Sequence, residues 1–208
     1  MKKNISIYLD LVRIIATMLV FISHAEKFDG QWINANFPNF GHDAVVIFFV
    51  LSGFVIRFIA ETKESSLKFY AQARAIRIYS VAVPSLIIVV ALSFLGSTLE
   101  LNGYGNFLEI DWLYIISMSV FFLNEIQGLD LLVPNNGPYW SICYEVSYYV
   151  LFAILFYLTG IKKYILFIIA SVFIGFKILL LFPLWLLGGV TYRLVKEQNR
   201  TEQNRTYL

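Results

Sequence analysis

Arginine, histidine and glutamate are rare inside apolar segments, and this sequence carries all three there. Residues 9–26 read LDLVRIIATMLVFISHAE, with Arg13 and His24 eleven positions apart. In a helix, eleven steps of about 100° bring two side chains within about 20° of one face, about 16 Å apart along the axis. A guanidinium in hydrocarbon is costly unless it is partnered or hydrated, which makes Arg13 a candidate site residue. Histidine titrates near neutrality and can serve as a general base toward a hydroxyl, the chemistry that His24 offers. Arg13 could bind a carbonyl or stabilise negative charge developing on an oxygen. Simpler roles compete: Asp10, three residues earlier, can neutralise Arg13, and a lone interfacial histidine is ordinarily just solvated.

A second pair, Arg74 and Arg77, lies in a basic stretch with Arg57, Lys63 and Lys68. If helical, the pair shares a face one turn apart. Arginine can grip phosphates bidentately where lysine acts as a point charge. Basic residues flanking a membrane helix satisfy topology equally well. Glu145 stands about one and a half turns into an apolar run that starts at Trp140. A buried carboxylate must be paired or neutral, so it is a third candidate. Its partners would be His24 or Arg13, and charge topology favours His24, in the same outer half. Cys143 reads as packing. His24 and His42 have no ligand spacing with other donors, so no metal site is expected.

Apolar helices must position these residues. The 208-residue chain is 59% hydrophobic and 14% charged, against about a quarter charged in soluble domains. Apolar stretches run over residues 7–25, 43–59, 79–95, 112–123, 140–158, 164–182 and 184–195. The expected fold is all-α, a polytopic transmembrane helical bundle of about six membrane segments. The 112–123 stretch is short and reads as re-entrant, since residues 100–139 contain no lysine or arginine. The 184–195 stretch, after Pro183, is also short for a crossing. Ser52-Gly53 forms a notch where another helix can approach. Pro84 interrupts the third stretch, in a setting where neighbours can re-satisfy the freed carbonyl. Residues 26–42 and 100–111 read as outer loops.

Lys2 and Lys3 favour a cytoplasmic N-terminus, and the first span, lacking a small-residue cleavage site, reads as a retained anchor. Residues 1–195 form the membrane domain. Residues 196–208, with EQNRT twice in tandem, form a polar tail expected to be disordered. One cysteine excludes an internal disulfide framework. The net charge of +2 is small and its basic residues sit at membrane boundaries, which argues against a nucleic-acid partner.

Four blocks, in order, resemble the acyltransferase-3 family: YLDLVRIIATMLVFISHAE, FFVLSGFVI, FYAQARAIRIYSVAVP and PYWSICYEVSYYVLF. PLWLLGGVTYRL resembles a later apolar helix of the same family. Ser80 and Ala153 stand where the family commonly has proline. The resemblance covers the first half to two-thirds of the family domain and implies a C-terminally truncated member.

Family members acylate, most often O-acetylate, carbohydrates of the cell envelope. The resemblance therefore implies acetyl-CoA or another acyl-CoA as donor, a carbohydrate acceptor, and a bacterial inner membrane location. It implies catalytic roles for Arg13, His24 and Glu145, and acyl-CoA handling by Arg74 and Arg77. A partner protein supplying further helices would fit the short length. The competing expectations are an inactive truncated homologue and a non-enzymatic scaffold or transport subunit of envelope polysaccharide synthesis.

Overall fold

A computed structural model describes residues 3–25, 40–64, 66–101 and 104–206; side chains 3–5, 24–25 and 202–206 fall outside the description. The expected outer loop at residues 26–42 lies almost wholly outside the described residues. The chain forms two compact units, Met1–Lys63 with Leu181–Leu208, and Glu64–Leu180.

The first unit contains α1 (Lys3–Ala25), α2 (Gly41–Thr62) and α8 (Phe182–Thr206). Its packing depends on glycines. A Cβ on Gly53 would lie 1.9 Å from the Trp185 carbonyl oxygen, and one on Gly188 would lie 1.9 Å from that of Val50. Only hydrogen in place of a side chain permits that approach, which fulfils the notch expected at Ser52-Gly53. Neighbours ascend both helices together: Gly53 meets Trp185, Phe58 meets Tyr192, and Glu61 meets Lys196, so α2 and α8 run parallel. Leu9 of α1 joins Leu51, Phe54 and Tyr192 in one cluster.

The second unit contains α3 (Leu67–Thr98), α4 (Trp112–Val120), α5 (Trp140–Tyr157), α6 (Gly160–Ile174) and α7 (Phe176–Leu179). The Ser66 side chain caps α3 by accepting from the Phe69 amide. Lys68, Arg74 and Arg77 of the basic stretch therefore open one 32-residue helix, with Pro84 inside it, while Arg57 belongs to α2. The nine residues of α4 extend about 14 Å and cannot cross a bilayer. Gly175, at φ 91°, ends α6. A side chain is strained there, and a Cβ would meet the Gln127 backbone at 3.0 Å. Gln127 Nε2 donates to the exposed Val172 and Phe173 carbonyls, satisfying part of that helix end.

Five helical windows are long and apolar enough to span: Ser6–Ser23, Gly41–Thr62, Leu67–Thr98, Gly137–Tyr157 and Phe176–Thr201. The expected 164–182 span is instead divided at Gly175. Residues 184–195 belong to a 25-residue helix and are not a short piece. Pro183 does not break that helix, because it occupies its second position, where no amide donor is needed. The tail expected to be disordered continues α8 as helix to Thr206. Large apolar side chains point outward, among them Ile14, Phe21, Ile87, Ile168 and Phe173, while Arg74, Glu64, Asn124 and Glu125 are buried. That arrangement suits hydrocarbon surroundings.

Candidate active site

Helices α3 and α5 run antiparallel. Tyr157 Oη donates to the Glu64 carbonyl, Tyr70 Oη to the Tyr149 carbonyl, and Arg77 stands opposite Glu145. The order ascends one helix as it descends the other. This pairing separates the fates of the two arginines. Arg74 is enclosed: Nη2 donates to Glu64 Oε1 at 2.7 Å, and its guanidinium carbon lies 5.7 Å and 5.9 Å from the ring centroids of Tyr70 and Tyr149. The rings give the charge a second favourable contact in a dry setting. Arg74 Nε and Nη1 have no hydrogen-bond partner among the described residues.

Three helical steps turn Arg77 about 60° from Arg74. Its side chain is half exposed, and Nη2 lies 3.9 Å from Glu145 Oε1. Arg77 sits about 15 Å along the axis from the first residue of α3, well inside the helix and not in a flanking loop. Tyr149, one turn after Glu145, donates its hydroxyl to the Glu145 carboxylate. The same residue thus holds Glu145 with its hydroxyl, flanks Arg74 with its ring, and anchors Tyr70 with its carbonyl. Sequence reasoning quoted Tyr149 within a motif but gave it no role. Its signal was the i, i+4 spacing from Glu145. Beside these residues lies an apolar trough of about 420 Å³, lined by Ala71, Ala75, Val146, Val150 and Arg74.

Arg13 and His24 belong to the first unit, while Arg74, Arg77 and Glu145 belong to the second. Arg13 Nη1 bonds Asp10 at 3.2 Å, and its side chain is 36% exposed. This is the local neutralisation that the i, i+3 spacing offers. His24 lies in the last turn of α1, and its side chain, with the expected contact to Glu145, is outside the described side chains. Within its own unit Glu145 meets Arg77 and Tyr149. Cys143 is fully buried, its thiol donating to the Phe122 carbonyl.

A polar cluster was missed altogether. Lys177, a cation in an apolar run, reaches Glu125 at 3.1 Å and also pairs with Asp130. Glu125 is buried. The signal was complementary isolation: one lysine without an acid nearby in sequence, and acids without a base.

An uncharacterized protein of Haemophilus influenzae is 36% identical over 139 residues, covering 61% of this chain and 55% of the relative. The match thus spans little more than half of that relative's length. No solved structure matches. The acyltransferase domain that defines the acyltransferase-3 family matches residues 6–198, and these residues include every block quoted above. With that domain over most of its length and five helices suited to crossing a bilayer, this integral membrane chain belongs to the acyltransferase-3 family.

Proposed function

We propose that the chain serves an O-acyltransferase, moving an acyl group, acetyl by default, from acyl-CoA to a hydroxyl of an envelope carbohydrate. Family membership supports the reaction class. The observation that carries it to particular residues is Arg77 facing Glu145 inside an apolar helix pair, with Tyr149 holding the carboxylate. In the reaction the acceptor oxygen forms a bond to the acyl carbon and the thioester C–S bond breaks. The hydroxyl proton passes through a base to the departing thiolate.

His24 is the proposed base. Arg77 is the proposed donor-side cation, positioned to steady charge on the thioester oxygen or to hold a donor phosphate. Arg74, enclosed by Glu64 and two rings, supports that helix segment from behind and shares in donor handling through it. Glu145 orients Arg77, and Arg13 helps align the first-helix residues. The apolar trough beside Tyr149 suits a hydrocarbon acyl group.

The test is acceptor-dependent release of CoA thiol by membranes carrying the chain, beside His24→Ala and Arg77→Gln at equal insertion. Release that depends on acceptor and falls by about 10²-fold or more in His24→Ala supports a general-base enzyme. Equal background release from all three proteins, with envelope carbohydrate present, rejects it and leaves an inactive homologue or scaffold.

A further inference from the structure

The apolar trough beside the candidate site is far larger than an acetyl group. Its α3 wall extends from Leu67 to Tyr79, about 18 Å along the helix, and residues from Val146 to Leu158 form the facing wall. Its volume is about 420 Å³, against the roughly 150 Å³ of an apolar cavity that admits benzene. Alanines make the space. Ala71 and Ala75 of α3, and Ala153 of α5, present only a methyl where longer side chains would fill the gap. At one end stand the rings of Tyr79 and Phe122, their centroids 5.3 Å apart.

Arg74 supplies a polar point within this lining. Among the described residues it is the only charged side chain there. It is 8% exposed. Its Nη2 is bonded to Glu64, while Nε and Nη1 have no acceptor among the described residues. A buried donor without an acceptor is costly, and a bond from a charged donor is stronger than a neutral one. A ligand that brings a hydrocarbon chain and one acceptor oxygen would match both features. An acyl thioester has that composition, with its carbonyl oxygen as acceptor and its alkyl chain as the apolar part. Continuity with the candidate site favours this occupant. Tyr149, which holds the Glu145 carboxylate, and Val146, the residue after Glu145, both line the trough.

We propose that the trough binds the acyl chain of the donor, that this chain is a medium-length alkyl group, and that Ala71 and Ala75 set its length. This deepens the acyl-transfer reading and rests on it for the identity of the ligand. The transferred group is then longer than acetyl, and Arg74 touches the donor directly as well as supporting its helix.

The test uses the full chain in phosphatidylcholine nanodiscs, titrated calorimetrically with acetyl-CoA and octanoyl-CoA and corrected against empty nanodiscs. The variants are Ala75→Phe, which fills the trough from an exposed position, and Ala91→Phe, also exposed on α3 but outside this trough. Octanoyl-CoA should bind wild type and Ala91→Phe about tenfold or more tighter than acetyl-CoA, since each further buried methylene adds affinity. That advantage should vanish in Ala75→Phe, with acetyl-CoA binding unchanged. S-octyl-CoA lacks the carbonyl oxygen and leaves Arg74 without an acceptor, so it should bind about tenfold more weakly than octanoyl-CoA. Equal binding of S-octyl-CoA and octanoyl-CoA overturns the part given to Arg74. Equal binding of acetyl-CoA and octanoyl-CoA to wild type, an advantage that survives in Ala75→Phe, or no binding overturns the trough as an acyl site. So does phospholipid that native mass spectrometry finds on wild type but not on Ala75→Phe, without a chain-length advantage, which assigns the trough to a bilayer lipid. Binding needs no turnover. A chain-length advantage without release of CoA thiol rejects acyl transfer and keeps the trough, whereas release from acetyl-CoA without the advantage does the reverse.

Discussion

At the scale of single residues, Arg74 and Arg77 are spelled alike and placed differently. Arg74 and Glu64 are each about one-tenth exposed and bonded at 2.7 Å. Removing one member leaves an uncompensated buried charge, at a cost of about 3–5 kcal/mol. Glu64→Gln should therefore lower the thermal unfolding midpoint in detergent strongly, and the pair Glu64→Gln/Arg74→Met should recover much of the loss. If Glu64→Gln unfolds like wild type, the pair is not structural. Tyr149→Phe keeps the ring beside Arg74 and removes only the hydroxyl on Glu145. It should leave folding intact and lower acyl transfer, while Arg77→Gln and Glu145→Gln lower it further. Unchanged transfer in Tyr149→Phe would assign its hydroxyl to packing alone. The sequence made both arginines legible as a helical pair. It could not reveal which faced inward, because that depends on Glu64 and Tyr149, ten positions before Arg74 and seventy-five after it.

At the scale of elements, the α2–α8 contact distinguishes two adjacent glycines. A Cβ on Gly188 would meet the Val50 carbonyl oxygen at 1.9 Å, but one on Gly189 meets nothing closer than 3.6 Å. Alanine is favoured over glycine in a helix by about 1 kcal/mol. Gly189→Ala should then be neutral or slightly stabilising in thermal unfolding. Gly188→Ala must force the helices apart and should destabilise clearly, as should Gly53→Ala. Equal effects at 188 and 189 would contradict the packing. The Ser52-Gly53 notch was readable because small residues stand out in an apolar run. Its partner was not, since Trp185 and Gly188 come from a segment more than a hundred residues away that looked too short to cross. The helical tail was misread for a related reason. Its polar composition signals disorder when taken alone, yet it extends a helix already nucleated by packing against α2.

At the scale of the whole molecule, the parallel run of α2 and α8 constrains how the chain threads a bilayer. A chain that leaves α2 on one side must reach the opposite side before α8 begins. Helices α3 and α5 are each long and apolar enough to cross, which would return the chain to the side it left, and α4 is too short to change that. The remaining crossing falls to residues 160–179. Helix α6 alone has fifteen residues, about 22 Å. Through the Gly175 break and α7 the segment approaches the roughly 30 Å of a hydrocarbon core. On this threading we propose six crossings, with the chain leaving α2, α5 and α8 on the same side of the bilayer next to basic residues. By the positive-inside rule we propose that this side is the cytoplasmic one. In a Cys143→Ala background, an impermeant maleimide should label Asp130→Cys in intact cells. Lys162→Cys and Glu197→Cys should react only after permeabilisation. If Lys162→Cys and Glu197→Cys label on opposite sides, α6 and α7 do not cross, and the parallel pairing of α2 with α8 cannot hold in the membrane.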